Sequence, residues 1–416
     1  MMLFHPSQSP FNPFDPEIIA DPYPSYQALR ALDPVHTGIN ELRFVSRFTD
    51  VLTVLSDDKQ FIRGEYALQL LRNYGSNSLS EITRHMLFLL DPPDHERIRR
   101  LVTGSTGITP FFSPTYVDRL ADRIRSITNE LLATLVASGK KHIDLIDDFA
   151  FPLPIAVICE TLGIPQEDRL EFRRLSRDFT RIVDPVVSQE VVDRAIAASD
   201  TLQSYFKDLI ARRRRTPHAD MVSELIQYSD QQGDHLTEQE VLSTCMLFLM
   251  SGHENITNLI GLGALTFLEH PDQLALLRRD PSLYRQALVE LLRYDCPSQY
   301  NPREAVVDVR LSDTIIPAGS LVIALIGSAN RDEQKYQDPD QFRVTRFERG
   351  GAREIMSFGR GINYCLGAPL TLVEGQIALQ ALFEQLQFSI EVPREQLQWK
   401  QTLLFRGLEH LPITLT

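Results

Sequence analysis

Cysteine is scarce in this chain, and basic charge is outnumbered by acidic charge. The 416 residues include four cysteines, with 42 Lys and Arg against 55 Asp and Glu, and the formal net charge is -13. Four thiols that lie far apart in the sequence do not form a disulfide framework. The acidic balance argues against nucleic acid as a partner, because phosphate binding needs a basic face. The one dense basic run, Arg212 to Arg215, ends a helical pattern before Pro217, and we interpret it as a helix terminus.

Long apolar runs and linker-like segments are also missing. No apolar run reaches the ~20 residues of a membrane span. The N-terminal stretch MMLFHPSQSPFNPFDPE lacks the apolar core of a signal peptide. We therefore expect a soluble, cytoplasmic protein without membrane association. Because no Gly/Ser linker, repeat or low-complexity run divides the chain, we predict a single domain over residues 1–416.

Apolar periodicity predicts that most of the chain is helical. Apolar positions recur every three or four residues from Tyr116 to Gly139, which indicates an amphipathic helix closed by a glycine. Further helices are predicted at 153–162, 167–182, 188–214 and 219–228. The alternation from Leu42 to Val45 indicates a strand, and residues 303–325 indicate a small antiparallel sheet with a turn at Pro317 to Gly319. The segments FSIEV and LPITLT near the C-terminus are predicted strands.

The stretch from Phe358 to Gly367, FGRGINYCLG, is the most informative in the sequence. Its glycines, at 359, 361 and 367, let the backbone approach a flat ligand closely. Cys365, near its end, is then interpreted as a thiolate that faces a metal, although a lone cysteine in a Gly-rich turn is more often a small buried hydrophobe. The whole pattern, FxxGxxxCxG followed by an apolar helical run, resembles the haem-binding loop of the cytochrome P450 family.

This resemblance implies a fold and a cofactor. The fold is mainly α with small β-sheets, and the cofactor is haem b, buried between a long distal helix and the Cys loop. Cys365 would be the axial thiolate ligand, a ligand that favours O–O cleavage. Phe358, Gly359, Asn363 and Gly367 would also contact the haem. Asn363 occupies a position that is often His in the family, so its contact with a propionate would be weaker, as expected of a neutral donor.

The segment DPPDHERIRRL, residues 91–101, predicts a second cofactor contact. Asp94 can cap a helix on which His95 and Arg99 lie four residues apart, and therefore on one face. Two such groups suit a pair of carboxylates. In the resembled family the matching His and Arg bind haem propionates, and Arg303 matches another position that grips a propionate.

A capping box at Thr237 and Glu240 opens a helix that we predict to continue to about Glu269. At 1.5 Å per residue this helix would be roughly 48 Å long. A glycine and a carboxylate inside a buried helix each cost stability, so Gly252 and Glu254 need a reason.

The family supplies that reason, because this segment resembles the distal helix that crosses the haem face. There the glycine permits close approach, and an acid and an alcohol deliver protons during the reaction. The chain departs from the pattern at Asn255, where the family usually has Thr and where an amide is a poor proton donor. We expect water or a substrate hydroxyl to complete the relay, since Glu254 is retained.

Glu290 and Arg293 have ExxR spacing, which puts them one helical turn apart on one face. Alone this spacing is typical of a surface ion pair. Together with Arg346 it resembles the family's structural Glu/Arg cluster, so we assign these three residues to support of the fold and the haem loop.

Candidate substrate contacts come from several segments, and ordinary core is the alternative for each. They are Leu68, Leu71, Leu87, Phe88, Leu247, Phe248, Ser251, Tyr300, Asn301, Leu404 and Phe405.

The leading interpretation is a monomeric haem-thiolate monooxygenase of the soluble bacterial type, acting in secondary metabolism on a lipophilic small molecule. Since no flavin or ferredoxin segment is visible, electrons would come from a separate ferredoxin and reductase. Arg97, Arg100, Arg353 and Arg360 are candidates for docking that ferredoxin. Two alternatives remain: a peroxide-driven peroxygenase, against which Glu254 argues, and a haem protein with atypical chemistry because of the missing Thr. Substrate identity, and whether a carrier protein holds the substrate, stay open.

Overall fold

The computed structural model describes residues 11–38, 41–64, 75–103, 114–181, 188–229, 235–347, 351–402 and 404–416. Within these residues the helices, in chain order, are α1 Pro16–Ala20, α2 Tyr23–Leu32, α3 Phe48–Ser56, α4 Ser78–Thr83, α5 Asp94–Thr103, α6 Pro114–Ala137, α7 Pro152–Thr161, α8 Arg169–Thr180, α9 Gln189–Arg215, α10 Met221–Ser229, α11 Glu238–Ser251, α12 Glu254–Glu269, α13 Pro271–Arg279, α14 Tyr284–Tyr294, α15 Ile326–Ala329 and α16 Ala368–Gln385. The strands are β1 Val35–Thr37, β2 Arg43–Val45, β3 Phe61–Ile62, β4 His142–Asp144, β5 Tyr300–Ala305, β6 Val309–Leu311, β7 Thr314–Ile316, β8 Leu321–Leu325, β9 Phe388–Ile390 and β10 Pro412–Leu415. The predicted mainly α fold with small sheets is confirmed.

The chain divides into two compact units, each assembled from separate stretches of sequence. The first unit comprises Met1–Tyr66, Leu132–Ala150 and Asn258–Thr416, and the second comprises Ala67–Leu131 and Phe151–Thr257. Two of the four boundaries fall inside helices, at Leu131/Leu132 in α6 and at Thr257/Asn258 in α12. The single domain predicted from the sequence stays a prediction.

The first unit contains the β-structure. Its main sheet has the strand order β1-β2-β8-β5-β3, in which β2 and β8 are parallel and the other pairs are antiparallel. A second sheet has the order β4-β10-β9, and β6 and β7 form a separate hairpin. The antiparallel pairing predicted within residues 303–325 is confirmed by β5 with β8 and by β6 with β7. The prediction did not foresee that β5 and β8 belong to a larger, five-stranded sheet.

The second unit is helical, and its helix starts follow the sequence signals. The Thr237 hydroxyl accepts from the Glu240 N–H over 3.2 Å, and the Thr237 N–H donates to the Glu240 carboxylate over 2.8 Å. This capping box opens α11, as predicted. The helices predicted at 153–162, 167–182, 188–214 and 219–228 correspond to α7, α8, α9 and α10 with small shifts at their ends.

The long distal helix is interrupted, which corrects the prediction of one continuous helix. α11 ends at Ser251 and α12 begins at Glu254, with a turn at Gly252 and His253 between them. The Nδ1 atom of His253 lies 2.8 Å from the Leu249 carbonyl oxygen. At the break, the imidazole therefore contacts a carbonyl oxygen that in a continuous helix would accept from the backbone N–H four residues later.

None of the helices in the described ranges combines the length and apolar character needed to cross a bilayer.

Candidate functional site

The Cys loop, residues 358–367, turns sharply before it enters α16. Gly359 and Gly361 have φ angles of +69° and +63°, in the region that residues with a Cβ rarely adopt. The Cys365 N–H donates to the Phe358 carbonyl oxygen over 2.8 Å, which closes the loop. The Cys365 side chain is exposed. The glycines thus present one thiol at the tip of a tight backbone turn.

The four thiols fall into two classes. Cys159, Cys245 and Cys296 are buried, whereas Cys365 is exposed. Burial raises the pKa of Cys159 and of Cys296 to about 12 and raises that of Cys245 further. These three thiols remain protonated at neutral pH, and the thiolate is the form that binds a metal. Of the cysteines in the chain, Cys365 is therefore the one placed to be a ligand.

The predicted structural cluster lies in the first unit. The Arg293 guanidinium donates to both Glu290 oxygens, over 2.7 and 2.9 Å, and both side chains are fully buried. Arg346 Nε lies 3.0 Å from each oxygen of the same carboxylate. One buried carboxylate is thus shared by two guanidinium groups, an arrangement in which each charge has a partner.

Asn330 connects this cluster to the Cys loop, a role that sequence reasoning missed. Its carbonyl oxygen accepts from Arg293 over 3.0 Å, while its side chain accepts from the Met356 N–H over 2.7 Å and donates to the Ser357 hydroxyl over 2.8 Å. Met356 and Ser357 directly precede the loop. The ExxR spacing of Glu290 and Arg293 can be read from the sequence, but a single amide that bridges two distant segments leaves no local pattern.

Arg303 lies on β5 in the first unit and is 2% exposed. Its Nη1 donates to the Asn301 side-chain oxygen and, over 2.8 Å, to the Pro302 carbonyl oxygen. Arg63, which sequence reasoning did not single out, donates to the same Asn301 oxygen over 3.0 Å. Asn301 was predicted to face substrate, and its side-chain oxygen is used by these two guanidinium groups.

In the second unit, Gly252 lies against α7. A Cβ at this position would come within 2.7 Å of the Ile158 side chain. The prediction that this glycine permits close approach to a cofactor therefore has a structural alternative, namely close packing of helices. Glu254 is 9% exposed at the start of α12, and Asn255 beside it is half-buried.

The predicted propionate contacts of the second unit lie on α5. His95 is 1% exposed and Arg99 is half-buried. On the same helix, Arg97 forms an ion pair with Glu240 and donates to the His235 carbonyl oxygen over 3.0 Å.

The candidate docking arginines differ in exposure. Arg100 and Arg353 are exposed. Arg97 is held by Glu240, and Arg360 is half-buried and donates to the carbonyl oxygens of Gly359 and Arg353. Arg360 therefore braces the Cys loop, whereas the side chains of Arg100, in the second unit, and Arg353, in the first, are each exposed to solvent.

The predicted substrate contacts include both buried and half-buried side chains. Leu87, Leu247 and Phe248 are buried in the second unit, where the exposed Ser251 donates its hydroxyl to the Leu247 carbonyl oxygen over 2.7 Å. Phe88 and Phe405 are half-buried. Tyr300 packs in a hydrophobic cluster of the first unit, and Leu404 lies against that cluster. Leu68 and Leu71 lie outside the described residues. These assignments to the substrate pocket stay predictions.

A mainly α fold that presents one exposed thiol on a glycine turn, braced by a buried Glu/Arg/Arg cluster, is typical of the haem-thiolate class of enzymes. The chain belongs to the cytochrome P450 family, whose model matches residues 36–408. It is a cytochrome P450 monooxygenase.

The relatives match nearly the whole chain. Vitamin D(3) 25-hydroxylase of Pseudonocardia autotrophica is 36% identical over 400 residues, which cover 95% of this chain and 94% of the relative. The crystal structure of CalO2 has a TM-score of 0.90 at 36% identity, with 98% of each chain covered. The structure of P450BioI in complex with an acyl carrier protein ligated to hexadec-9Z-enoic acid has a TM-score of 0.86 at 32% identity, covering 96% of this chain and 99% of the other.

The family implies a haem-thiolate cofactor, and this chain's residues fit it. The exposed Cys365 thiol supplies a soft ligand, and beside it an added Cβ on Gly367 would meet only the Cys365 sulfur, over 3.9 Å. The buried guanidinium of Arg303 suits a carboxylate.

Proposed function

We propose that this protein inserts one oxygen atom of O₂ into a lipophilic small molecule of secondary metabolism, by hydroxylation or epoxidation. The other oxygen atom leaves as water, with two protons and with two electrons supplied by a separate ferredoxin and its reductase. The observation that carries this proposal is the division of the thiols, since Cys365 is exposed on the glycine turn while burial holds the other three protonated. The cofactor would be haem b with Cys365 as its axial ligand.

A lipophilic substrate is supported by the apolar side chains of α11 and by the relatives. Leu247 and Phe248 are large apolar residues on the helix that the family places over the haem. One relative is named a hydroxylase of vitamin D(3), and a similar structure was solved with a fatty acyl chain on a carrier protein. These two names support a lipophilic substrate, and the second supports delivery of that substrate by a carrier protein.

The proposed roles of the other residues follow from their donor groups. Bound haem supplies the activation of O₂. Arg303, His95 and Arg99 would each donate to a haem propionate, as the family pattern implies. Glu254, buried at the start of α12, would hold and release a proton, and the neighbouring Asn255 amide would hold a water in the path.

The test of this function has two parts. The ferrous protein treated with carbon monoxide should show the spectrum of a thiolate-bound haem, and Cys365→Ser should lose it while Cys159→Ser retains it. A Soret titration of the ferric protein against terpenoids, macrolides, fatty acids and aromatic amino acids should then show a low-spin to high-spin shift with one class. Absence of the thiolate spectrum in the wild-type protein would contradict the proposal.

Asn255 favours a second candidate, a haem protein whose chemistry is atypical. The amide replaces the alcohol of the family's usual proton relay. Electron transfer to the haem therefore need not be coupled to formation of an oxygenated product. NADH consumption matched by product would exclude this candidate, whereas oxygen uptake that yields only peroxide would support it. A peroxide-driven peroxygenase is disfavoured by Glu254, because examples of that class typically carry Arg at this position.

A further inference from the structure

One cleft of the first unit is lined by none of the residues assigned above to haem, substrate or ferredoxin. Its volume is about 440 Å³, which lies within the range of about 300–1,000 Å³ that is typical of small-molecule sites. Its walls are the last turn of α13, the first residue of α14, and the end of α16 with the two residues that follow it. The cleft therefore has the size of a ligand site, and the chemistry of its walls indicates the ligand.

Part of the cleft wall is apolar and aromatic. Leu277, Phe383 and Leu386 line it with buried side chains. The Phe383 ring packs edge-on against Phe267, with 5.6 Å between the ring centroids and an interplanar angle of 90°. An aromatic ligand would gain both apolar burial and ring contacts on this wall.

Tyr284 adds a hydrogen-bond donor. Its side chain is 2% exposed and lines the cleft, and its hydroxyl has no hydrogen-bond partner in the part of the chain that the structure describes. Burial raises the pKa of this hydroxyl to about 12, the Glu384 carboxylate adds to the rise, and the Arg278 guanidinium opposes it. The hydroxyl therefore keeps its proton at neutral pH, and it lies within electrostatic reach of both a cation and an anion.

The two charged side chains of the cleft have opposite sign. Arg278, in the last turn of α13, is exposed, and its guanidinium forms no hydrogen bond or ion pair with another described residue. Glu384, near the end of α16, is exposed and accepts from the Gln380 amide over 2.9 Å. The last turn of α16 has no basic residue, so the partial negative charge of the helix end adds to that of the carboxylate. One side of the cleft therefore favours an anionic group, and the other favours a cationic group.

We propose that this cleft is a binding site for a free aromatic amino acid. The carboxylate of the ligand accepts from the Arg278 guanidinium and from the Tyr284 hydroxyl, while its ammonium group donates to the Glu384 carboxylate and its ring packs on the apolar wall. A zwitterion gives both charged side chains a partner, which neither an amine nor a simple carboxylic acid does. The inference does not depend on the proposed oxygenation, because no lining residue takes part in that reaction.

The site joins two helices that support the Cys loop. α14 begins at Tyr284 and carries Glu290 and Arg293, and α16 begins at Ala368, directly after the loop. A ligand that binds the folded protein alone stabilises it by mass action. The aromatic amino acid should therefore raise the melting temperature of the holoenzyme.

The test measures binding of L-tryptophan to the ferric holoenzyme by isothermal titration calorimetry, with saturating imidazole present to block the haem iron. Arg278→Met should weaken binding at least about tenfold, as expected for loss of a charge-assisted hydrogen bond. Tyr284→Phe removes the hydroxyl, keeps the ring, and should weaken binding about two- to tenfold. Arg279→Met is the matched control, because Arg279 is in the same turn of α13 but does not line the cleft, and it should leave the affinity unchanged.

Two analogues separate the charged contacts. Tryptamine lacks the carboxylate and indole-3-propionate lacks the ammonium group, so both should bind the wild-type protein more weakly than L-tryptophan. Arg278→Met should weaken binding of indole-3-propionate but not of tryptamine, and Glu384→Gln should weaken binding of tryptamine but not of indole-3-propionate. The rise in melting temperature with L-tryptophan should be smaller in Arg278→Met than in the wild-type protein.

Four results would overturn the inference. The first is an absence of saturable binding with millimolar L-tryptophan, L-phenylalanine and L-tyrosine. The second is wild-type affinity in both Arg278→Met and Tyr284→Phe. The third is binding that imidazole abolishes, which would place the amino acid at the haem. The fourth is tighter binding of indole-3-propionate than of L-tryptophan, which would make the occupant a simple carboxylic acid. A wild-type protein without the thiolate spectrum would instead refute the proposed function, so the two failures are distinguishable.

Discussion

Glu374, on α16, is a fully buried carboxyl group whose two oxygens have no hydrogen-bond partner among the described residues. Burial alone raises the pKa of this group from 4.5 to about 8. The carboxyl therefore remains protonated at neutral pH, because ionisation would place a bare charge in an apolar interior.

This pKa predicts how stability depends on pH. Between pH 4.5 and 8 the folded protein holds a proton on Glu374 that the unfolded chain has released, so the free energy of unfolding falls as pH rises through this range. Glu374→Gln removes the titration and keeps the shape. We expect the difference in melting temperature, variant minus wild type, to increase between pH 5 and pH 8.

The control for this prediction is Glu384→Gln, which changes an exposed carboxyl on the same helix. Its melting temperature should follow that of the wild-type protein at both pH values. A pH-independent difference between Glu374→Gln and wild type would show that Glu374 is already ionised in the folded protein.

The roles of some residues could be predicted from the sequence, and those of others could not. Cys365, Glu290 and Arg293 could be found because their spacing repeats a known pattern. Arg63 and Asn330 could not, because their roles depend on contacts between segments that are far apart in the sequence. Gly252 was noticed, but only the packing of Ile158 against it gives a reason that does not need a ligand.

At the level of elements, the end of α3 restricts the Cys loop. A Cβ on Gly361 would lie 2.9 Å from the Leu55 carbonyl oxygen, and this residue also has a positive φ. Two separate costs, backbone strain and a clash with backbone atoms, therefore act against any side chain here.

The chain offers a control that separates these two costs. Gly319, in the turn before β8, has a φ of +80° but no atom within 4 Å of an added Cβ. We expect Gly319→Ala to lower the free energy of unfolding by about 1 kcal/mol and Gly361→Ala to lower it further and reduce haem content. Equal losses in denaturant titrations would show that the α3 contact does not constrain the loop.

The Glu290 cluster joins α14 to the segment before the Cys loop. Glu290→Gln leaves two guanidinium groups around a neutral amide, and breaking a buried ion pair in this way costs about 3–5 kcal/mol. We expect a large fall in melting temperature and loss of haem during purification. Glu269→Gln, which removes the exposed partner of Arg394, should cost less than about 1 kcal/mol. Similar melting temperatures for the two variants would contradict the structural role.

Periodicity predicted the helices well and their interruptions poorly. The break at Gly252 and His253 lies within a run that has helical spacing on both sides, so the hydrophobic pattern continues across it. The main sheet was missed for a related reason, since β2 and β8 pair across most of the chain and no local signal records the partner of a strand.

At the level of the whole molecule, net charge would act on the encounter with the separate ferredoxin that we propose as electron donor. A chain with a formal charge of -13 repels an acidic ferredoxin at long range, so local cations must provide the attraction. Arg100 and Arg353 are the exposed candidates.

We expect Arg100→Glu and Arg353→Glu each to slow ferredoxin-supported NADH consumption several-fold at low ionic strength, and the difference from wild type to shrink as salt screens the charges. Arg310→Glu, on β6, is the control with the same change in net charge. If all three variants slow the reaction equally, the effect is one of net charge alone. Wild-type rates for Arg100→Glu and Arg353→Glu at every salt concentration would exclude both residues from the docking surface.

The pairing of β2 with β8 has a consequence for synthesis of the chain. Arg43 is paired with Val322, so about 280 residues separate the two strands. At 5–20 residues per second, β2 leaves the ribosome roughly 15 to 60 seconds before its partner exists. During that time the β1–β2 hairpin has an open hydrogen-bonding edge that another nascent chain could occupy. Cellular yield of this protein should therefore depend on translation speed and on chaperones that cover such an edge.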